Sequence, residues 1–219
     1  MGWSSDQLSP LSHAFVEFCR QQPALPVLDL GAGYGAATRA ALAVGATVIA
    51  NDLDLAHLDA LEPHPALTLL SGRFPRQLSF QPASLGAIHA ANIFHFLPPR
   101  QLEEGLRSIA RWLAPGGRLF VLAATPFQAP FAAFLPEYER RIQAGVRWPG
   151  WVEKIGRYST HRKLGQMPAS IHLLDAPVLA RSVTEAGLWV ESVELCCRPD
   201  LPLQLRLDGR ETVALVASR

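Results

Sequence analysis

The stretch VLDLGAGYGAAT, Val27 to Thr38, decides how the chain reads. VLDL is a buried-strand run, Gly31, Gly33 and Gly35 follow at alternate positions, and small residues then continue in a helical composition. Glycine adopts backbone conformations closed to other residues and lets the main chain approach a ligand closely. A strand, a glycine turn and a helix in this order therefore predict a ligand-binding βα turn.

The rhythm continues outward from that turn. Ser9–Gln22 is an amphipathic helix stopped by Pro23 and Pro26. After strand Val27–Leu30 come helix Gly35–Val44, strand Thr47–Asn51, a short helix over Leu55–Leu61 and strand Leu67–Leu70. Strand Leu85–Asn92, helix Pro99–Leu113 and strand Arg118–Ala123 follow, and after an interruption helix Ala176–Ala186 and strands Trp189–Cys197 and Thr212–Ala217 close the chain. Continuous apolar strands separated by helices predict an α/β fold, a mostly parallel sheet with helices on both faces. The closing two strands have no helix between them, so the last is expected to be antiparallel.

Composition narrows the class. The 219 residues are 49% hydrophobic and 18% charged, which fits one globular domain with a sizeable core. A net charge of +1 gives no global pull toward nucleic acid or membrane. Cys19, Cys196 and Cys197 suit neither a disulfide framework nor a metal cluster, and Cys196 and Cys197 are expected as buried thiols. No metal is expected. The first ten residues, MGWSSDQLSP, lack a secretory pattern, and apolar runs stay short of a membrane span, so the expected compartment is cytoplasmic.

The turn offers a choice between a dinucleotide and S-adenosylmethionine. A dinucleotide turn places a third glycine three residues after the second, where this chain has Ala36. Asp29, two residues before Gly31, would repel a diphosphate and favours an ammonium and a sulfonium. Asp52 ends the second strand 21 positions after Gly31, a spacing at which a carboxylate accepts hydrogen bonds from ribose hydroxyls of either ligand. The first two features select S-adenosylmethionine.

With VLDLGAGYG as the first motif, NDLD at the end of the second strand, LAPGGRLFVL as the fifth strand and LARSVTEAGLWVESVEL as the last helix and sixth strand, the chain resembles the class I S-adenosylmethionine-dependent methyltransferases. The resemblance implies a single Rossmann-like domain over 1–219 with a seven-stranded sheet. It implies a cofactor site of Asp29, Gly31, Ala32, Gly33, Tyr34, Gly35, Asp52, Leu53, Arg73, Phe74, Asn92 and Ile93. Two positions depart from the family pattern. The usual Gly-Asp after the third strand reads SGRF, with Arg73 in place of the carboxylate, and the fourth strand begins SLGAI, with Gly86 in place of an acid. Arginine accepts no hydrogen bond, which leaves adenine to the backbone or to Phe74 packing.

Methyl transfer needs an aligned nucleophile and a dry site, and a base only where the acceptor must lose a proton. The candidates are His95, which either faces the acceptor or packs under the next helix, and Tyr138 and His161 in the irregular stretch at about 125–172. His172 reads as structural beside Asp175, the expected N-cap of the last helix. Between 137 and 163 seven basic residues face three glutamates, interleaved with aromatics. The stretch is expected either as an acceptor lid, its arginines holding an anionic or aromatic small molecule, or as an amphipathic helix pair with a solvated basic face. Trp3–Leu11 is the second candidate for covering the same edge. The expected activity is methyl transfer to a small or medium-sized molecule. The alternatives are an RNA or protein methyltransferase, and a non-catalytic S-adenosylmethionine-binding subunit or sensor.

Overall fold

The computed structural model describes residues 8–21, 24–159, 169–199 and 201–219. Helix α1 (Pro10–Gln21) leads into β1 (Val27–Leu30), α2 (Ala36–Ala43), β2 (Val48–Asp52), the short α3 (Leu55–Asp59) and β3 (Leu67–Ser71). Next come β4 (Leu85–Ala91), α4 (Pro99–Trp112) and β5 (Leu113–Ala124). Helix α5 (Leu135–Gln143) and strands β6 (Trp151–Val152) and β7 (Ile171–His172) fill the interruption, before α6 (Ala176–Glu185), β8 (Trp189–Cys196) and β9 (Thr212–Ser218).

Seven strands form one sheet in the order β3-β2-β1-β4-β5-β9-β8. The β1–β2, β1–β4, β2–β3 and β4–β5 pairs are parallel, and β9 runs antiparallel to both neighbours. The expected Rossmann-like sheet, with its last strand reversed, is the one observed. β5 begins five residues before the expected Arg118, and its register with β4 shifts between Leu85 and Ala87. Cys197 also departs from expectation. It is exposed, because β8 is an edge strand that ends one residue earlier, while Cys196 is half-buried.

Strand alternation builds two cores. Leu28 and Leu30 of β1 and Ile88 and Ala90 of β4 face the side covered by α4 and α6, with Leu106, Ile109, Leu179 and Val183. Val27 and Ala87 face the opposite side, against Phe15 and Phe18 of α1 and Ala41 of α2. Asp29 and His89 share that second face by parity and are register partners across the β1–β4 pair. Two polar side chains thus meet inside an apolar layer.

Among the described residues, the stretch after β5 is neither a helix pair nor a plain loop. One helix and an antiparallel two-stranded sheet enclose a cluster of Phe131, Phe134, Tyr138, Val152, Ile155, Ile171 and Leu173. Leu174 N–H donates to the Ala124 carbonyl at 2.9 Å, tying this unit to the end of β5. Asp175 caps α6 as expected, accepting from Val178 N–H at 3.0 Å.

Candidate active site

Chain order 3-2-1-4 places a topological switch point between β1 and β4, where open α/β sheets leave a crevice. The turn after β1 is fixed first by backbone. Gly31 and Ala32 N–H both donate to the Asn51 carbonyl, at 2.9 and 2.8 Å. Gly31 has φ of 74° and Gly33 of 54°, conformations that glycine adopts freely. A Cβ on Gly31 would lie 2.2 Å from Ile93 Cγ2, so the turn presses directly on the segment after β4. Asn92 in that segment takes φ of 62°, and its N–H donates to the Leu122 carbonyl at 2.7 Å. A left-handed asparagine here turns the chain sharply at the rim of the crevice.

Asp52 is held from two sides. Gly33 N–H donates to its Oδ2 at 2.8 Å and Asp54 N–H to its Oδ1 at 2.9 Å. His57 Nδ1 stands 3.3 Å from Oδ1 without hydrogen-bond geometry. A carboxylate has about four acceptor positions, and the two backbone bonds leave room for two further donors. That capacity matches a pair of neighbouring ribose hydroxyls.

Asp29 is used differently from expectation. Its Oδ2 accepts from Thr38 Oγ1 at 2.6 Å and its Oδ1 lies 2.8 Å from His89 Nδ1. The carboxylate lines the crevice from beneath, but its bonds run into the protein. A negative charge below the turn still favours a cationic ligand above it. Negative charge, two spare acceptor positions on Asp52 and a closely approachable glycine backbone together fit S-adenosylmethionine.

These features line one cavity of about 590 Å³, within the range of small-ligand sites. All the expected cofactor residues line it except Gly35. Gly35 has φ of 77°, and a Cβ there would lie 2.1 Å from Leu61 Cδ2, so it serves helix packing. Tyr34 is half exposed and sets its ring edge-on to His57, with centroids 4.6 Å apart. Phe74 reaches the cavity only at its margin. Its ring stacks on Phe94 at 6.2 Å and crowds Gly105 of α4. Arg73 is exposed at the rim.

The expected bases are placed elsewhere. His95 is buried and absent from the cavity lining, its Nδ1 accepting from Ala124 N–H at 3.3 Å. Burial pushes its pKa down from 6.5 to about 4. Tyr138 is buried in the aromatic cluster and donates its hydroxyl to Asp175, the α6 cap. Neither is positioned to act on an acceptor in this cavity, because each is consumed by packing and a structural hydrogen bond. His161 lies outside the described residues. His172, read as structural, is fully buried between Trp148 and Trp151.

The described part of the stretch expected as a lid packs away from the cavity. Among the described residues, none between 125 and 172 lines the cavity; Leu8, Ser9 and Ser12, at the start of α1, do. Aromatics of the interruption bury against one another instead of against the site. Its arginines are also largely answered by acids. Arg140 and Arg141 both bond Glu137, and Arg147 bonds Glu103 and Glu185. Hydrogen bonds from the two guanidinium groups hold the Glu137 carboxyl down at about 2.

Leu8 and Ser9 belong to Trp3–Leu11, the second candidate for covering this edge, whereas sequence reading missed Ser12, His57, His89, Gln101 and Arg198 as lining residues. His89 carried a legible signal: a polar side chain within the apolar fourth strand, of the same parity as Ala87 and Ala91. Arg198 carried none, since it reaches the cavity through the path of the chain after β8.

Residues 27–117 match the family model of a methyltransferase domain. No curated protein matches the chain by sequence. Among solved structures, the chain resembles an S-adenosylmethionine-dependent methyltransferase from Mesorhizobium loti, with a TM-score of 0.66 at 20% identity over 96% of this chain and 99% of that one. One from Methanosarcina mazei gives 0.68 at 15% identity, over 97% and 98% of the two chains. Burkholderia thailandensis 1,6-didemethyltoxoflavin-N1-methyltransferase, with 1,6-didemethyltoxoflavin and S-adenosylhomocysteine bound, gives 0.61 at 17%, over 96% and 76%. At these identities the structural likeness establishes the fold. The domain match covers the whole glycine turn, Asp52 and the β4 rim.

Proposed function

We propose that this chain, a class I S-adenosylmethionine-dependent methyltransferase by its domain match and its sheet, transfers the methyl group to a small molecule bound beneath helix α1. The observation that carries the acceptor class is the extent of the cavity. It runs past the glycine turn and the Asn92 rim to side chains of Leu8, Ser9, Ser12, Leu122 and Arg198. That far part is walled by side chains of the helix and the sheet. A pocket of this size accommodates small ligands and suits a folded macromolecule poorly.

The bound cofactor supplies an electrophilic methyl group on a positively charged sulfur. Asp52 would hold its ribose, the Gly31–Gly33 backbone its methionine end, and Tyr34, Leu53 and the rim at Arg73 its base. Asp29 adds negative charge under the cationic end. Asn92 and Ile93 border the place where an acceptor must approach. The methyltransferase from Burkholderia thailandensis, solved with a small heterocycle and S-adenosylhomocysteine, supports the same class of acceptor.

The test is to incubate the protein with methyl-radiolabelled S-adenosylmethionine and a whole-cell extract, then separate the products by size. We expect label in dialysable molecules, dependent on active protein. Label that stays with RNA or protein would overturn the small-molecule assignment.

A further inference from the structure

Three polar side chains, of which the cofactor site accounts only for the charge of Asp29, are wired in series at one wall of the cavity. Ser12 Oγ lies 3.0 Å from His89 Nε2, and His89 Nδ1 lies 2.8 Å from Asp29 Oδ1. Their relative exposures are 5%, 3% and 2%, and all three line the cavity. They come from α1, β4 and β1, so the arrangement is not a local accident of one turn.

The protons follow from what each group offers. A carboxylate offers only acceptors, so in the neutral imidazole Nδ1 carries the hydrogen toward Asp29 and Nε2 is left as an acceptor. Ser12 must then donate its hydroxyl proton to Nε2. Thr38 Oγ1, at 2.6 Å, fixes the other oxygen of Asp29, and Phe15 stacks on the imidazole with centroids 4.9 Å apart. Ring, tautomer and carboxylate are all held. Ser12 Oγ keeps two acceptor positions, of which the Ser9 hydroxyl, 2.9 Å away, can fill one. Helix capping does not explain this hydroxyl, since Ser9 Oγ already accepts from Ser12 N–H at 3.1 Å.

We propose that Ser12, His89 and Asp29 form a proton relay that takes the proton of a hydroxyl acceptor, making this an oxygen-directed methyltransferase. The proposal rests on the methyl-transfer reading above. A hydroxyl with a pKa near 10 is a weak nucleophile until its proton is drawn off, whereas a neutral amine already presents a lone pair and a thiol ionises by itself near 8.5. A fixed base one hydroxyl away from the acceptor space is needed most by an alcohol or phenol. In the step, the acceptor oxygen donates its electron pair to the methyl carbon, and the carbon–sulfur pair departs with sulfur, which becomes a neutral thioether. The acceptor proton passes to Ser12 Oγ while the Ser12 proton passes to His89 Nε2. The product ether leaves an imidazolium paired with Asp29, which returns its proton to solvent through the same serine.

The experiment measures methyl transfer from radiolabelled S-adenosylmethionine to three small probes, phenol, aniline and benzenethiol. It compares the wild-type chain with Ser12→Ala, Ser12→Thr and His89→Gln, with S-adenosylhomocysteine affinity measured for each. The relay predicts that phenol is methylated although its hydroxyl is protonated at neutral pH. Ser12→Ala and His89→Gln should each slow phenol transfer by about 10²-fold or more, and Ser12→Ala should slow aniline and benzenethiol transfer at least about tenfold less than phenol transfer. Ser12→Thr, which keeps a hydroxyl, should restore most of the phenol rate, a rescue that a purely structural role does not predict. Equal losses on all three probes, a phenol rate indifferent to Ser12→Ala, or no phenol methylation by a wild-type chain that binds S-adenosylhomocysteine would each overturn the relay. Failure of the wild-type chain to bind S-adenosylhomocysteine would instead overturn the underlying methyltransferase reading.

Discussion

His95 and His172 face almost no solvent and carry almost no polar compensation. His95 Nδ1 accepts from Ala124 N–H, and His172 Nδ1 lies 3.2 Å from the Leu97 carbonyl while its Nε2 has no partner among the described residues. Burial pushes both pKa values from 6.5 to about 4, and for His172 the nearby Arg181 adds to the fall. The unfolded chain therefore binds more protons than the folded one between roughly pH 4 and 6.5. Stability is complete above that window and is lost as pH falls through it, by on the order of 3 kcal/mol for each histidine. Denaturant unfolding of His95→Leu should show a shallower loss between pH 7 and pH 4.5 than the wild-type chain, and an equal slope would show that His95 is not buried neutral. At this scale the sequence was legible where a residue's role is local. Asp52 and the Gly31–Gly33 turn sit where their spacing put them. His95 and Tyr138 were misread as candidate bases because burial and a distant hydrogen-bond partner leave no mark in the adjacent sequence. Asp29 was placed correctly, but its bonds to Thr38 and His89 depend on strand pairing.

Among the elements, α4 and the segment after β3 meet in a close contact near the site. Gly105, in the middle of α4, has no side chain, and Phe74 fills the space. A Cβ there would lie 2.4 Å from Phe74 Cζ. The Phe74 ring is itself packed between Phe94 and Trp112, with centroids 6.2 Å from each, which limits its retreat. Gly105→Ala should therefore lower stability by about 1–3 kcal/mol from overpacking, despite alanine's better helix propensity. It should also weaken S-adenosylhomocysteine binding, because Phe74 and Arg73 form the cavity margin. Thermal unfolding and calorimetry check the two effects, and an unchanged or raised Tm would show that the contact relaxes freely. Nearly every regular element of the main sheet was legible from apolar runs and helix stops, with ends shifted by a residue or two apart from the start of β5, which comes five residues early. β6, β7 and α5 were not. The two strands are only two residues long, and α5 is held by the Phe134–Tyr138 cluster and the Glu137 ion pairs.

At the scale of the whole molecule, the parallel core and the reversed β9 place the carboxyl ends of β1, β2 and β4 around one cavity, roofed by the start of α1. The interruption after β5 forms a side unit with its own small core. Its charge and aromatic content suggested a lid, but composition does not say which surface a segment buries against. Among the described residues no helix is long and apolar enough to cross a membrane. The central claim is that this cavity is a site for S-adenosylmethionine with Asp52 as its ribose anchor. Isothermal titration calorimetry with S-adenosylhomocysteine and with NAD, on the wild-type chain and on Asp52→Ala, tests it most directly, with circular dichroism confirming that the variant folds. We predict micromolar binding of S-adenosylhomocysteine, no comparable binding of NAD, and at least about a tenfold loss in the variant, equivalent to one charge-assisted hydrogen bond. Tight NAD binding without S-adenosylhomocysteine binding, or an Asp52→Ala variant that binds S-adenosylhomocysteine as well as the wild-type chain, would contradict the account.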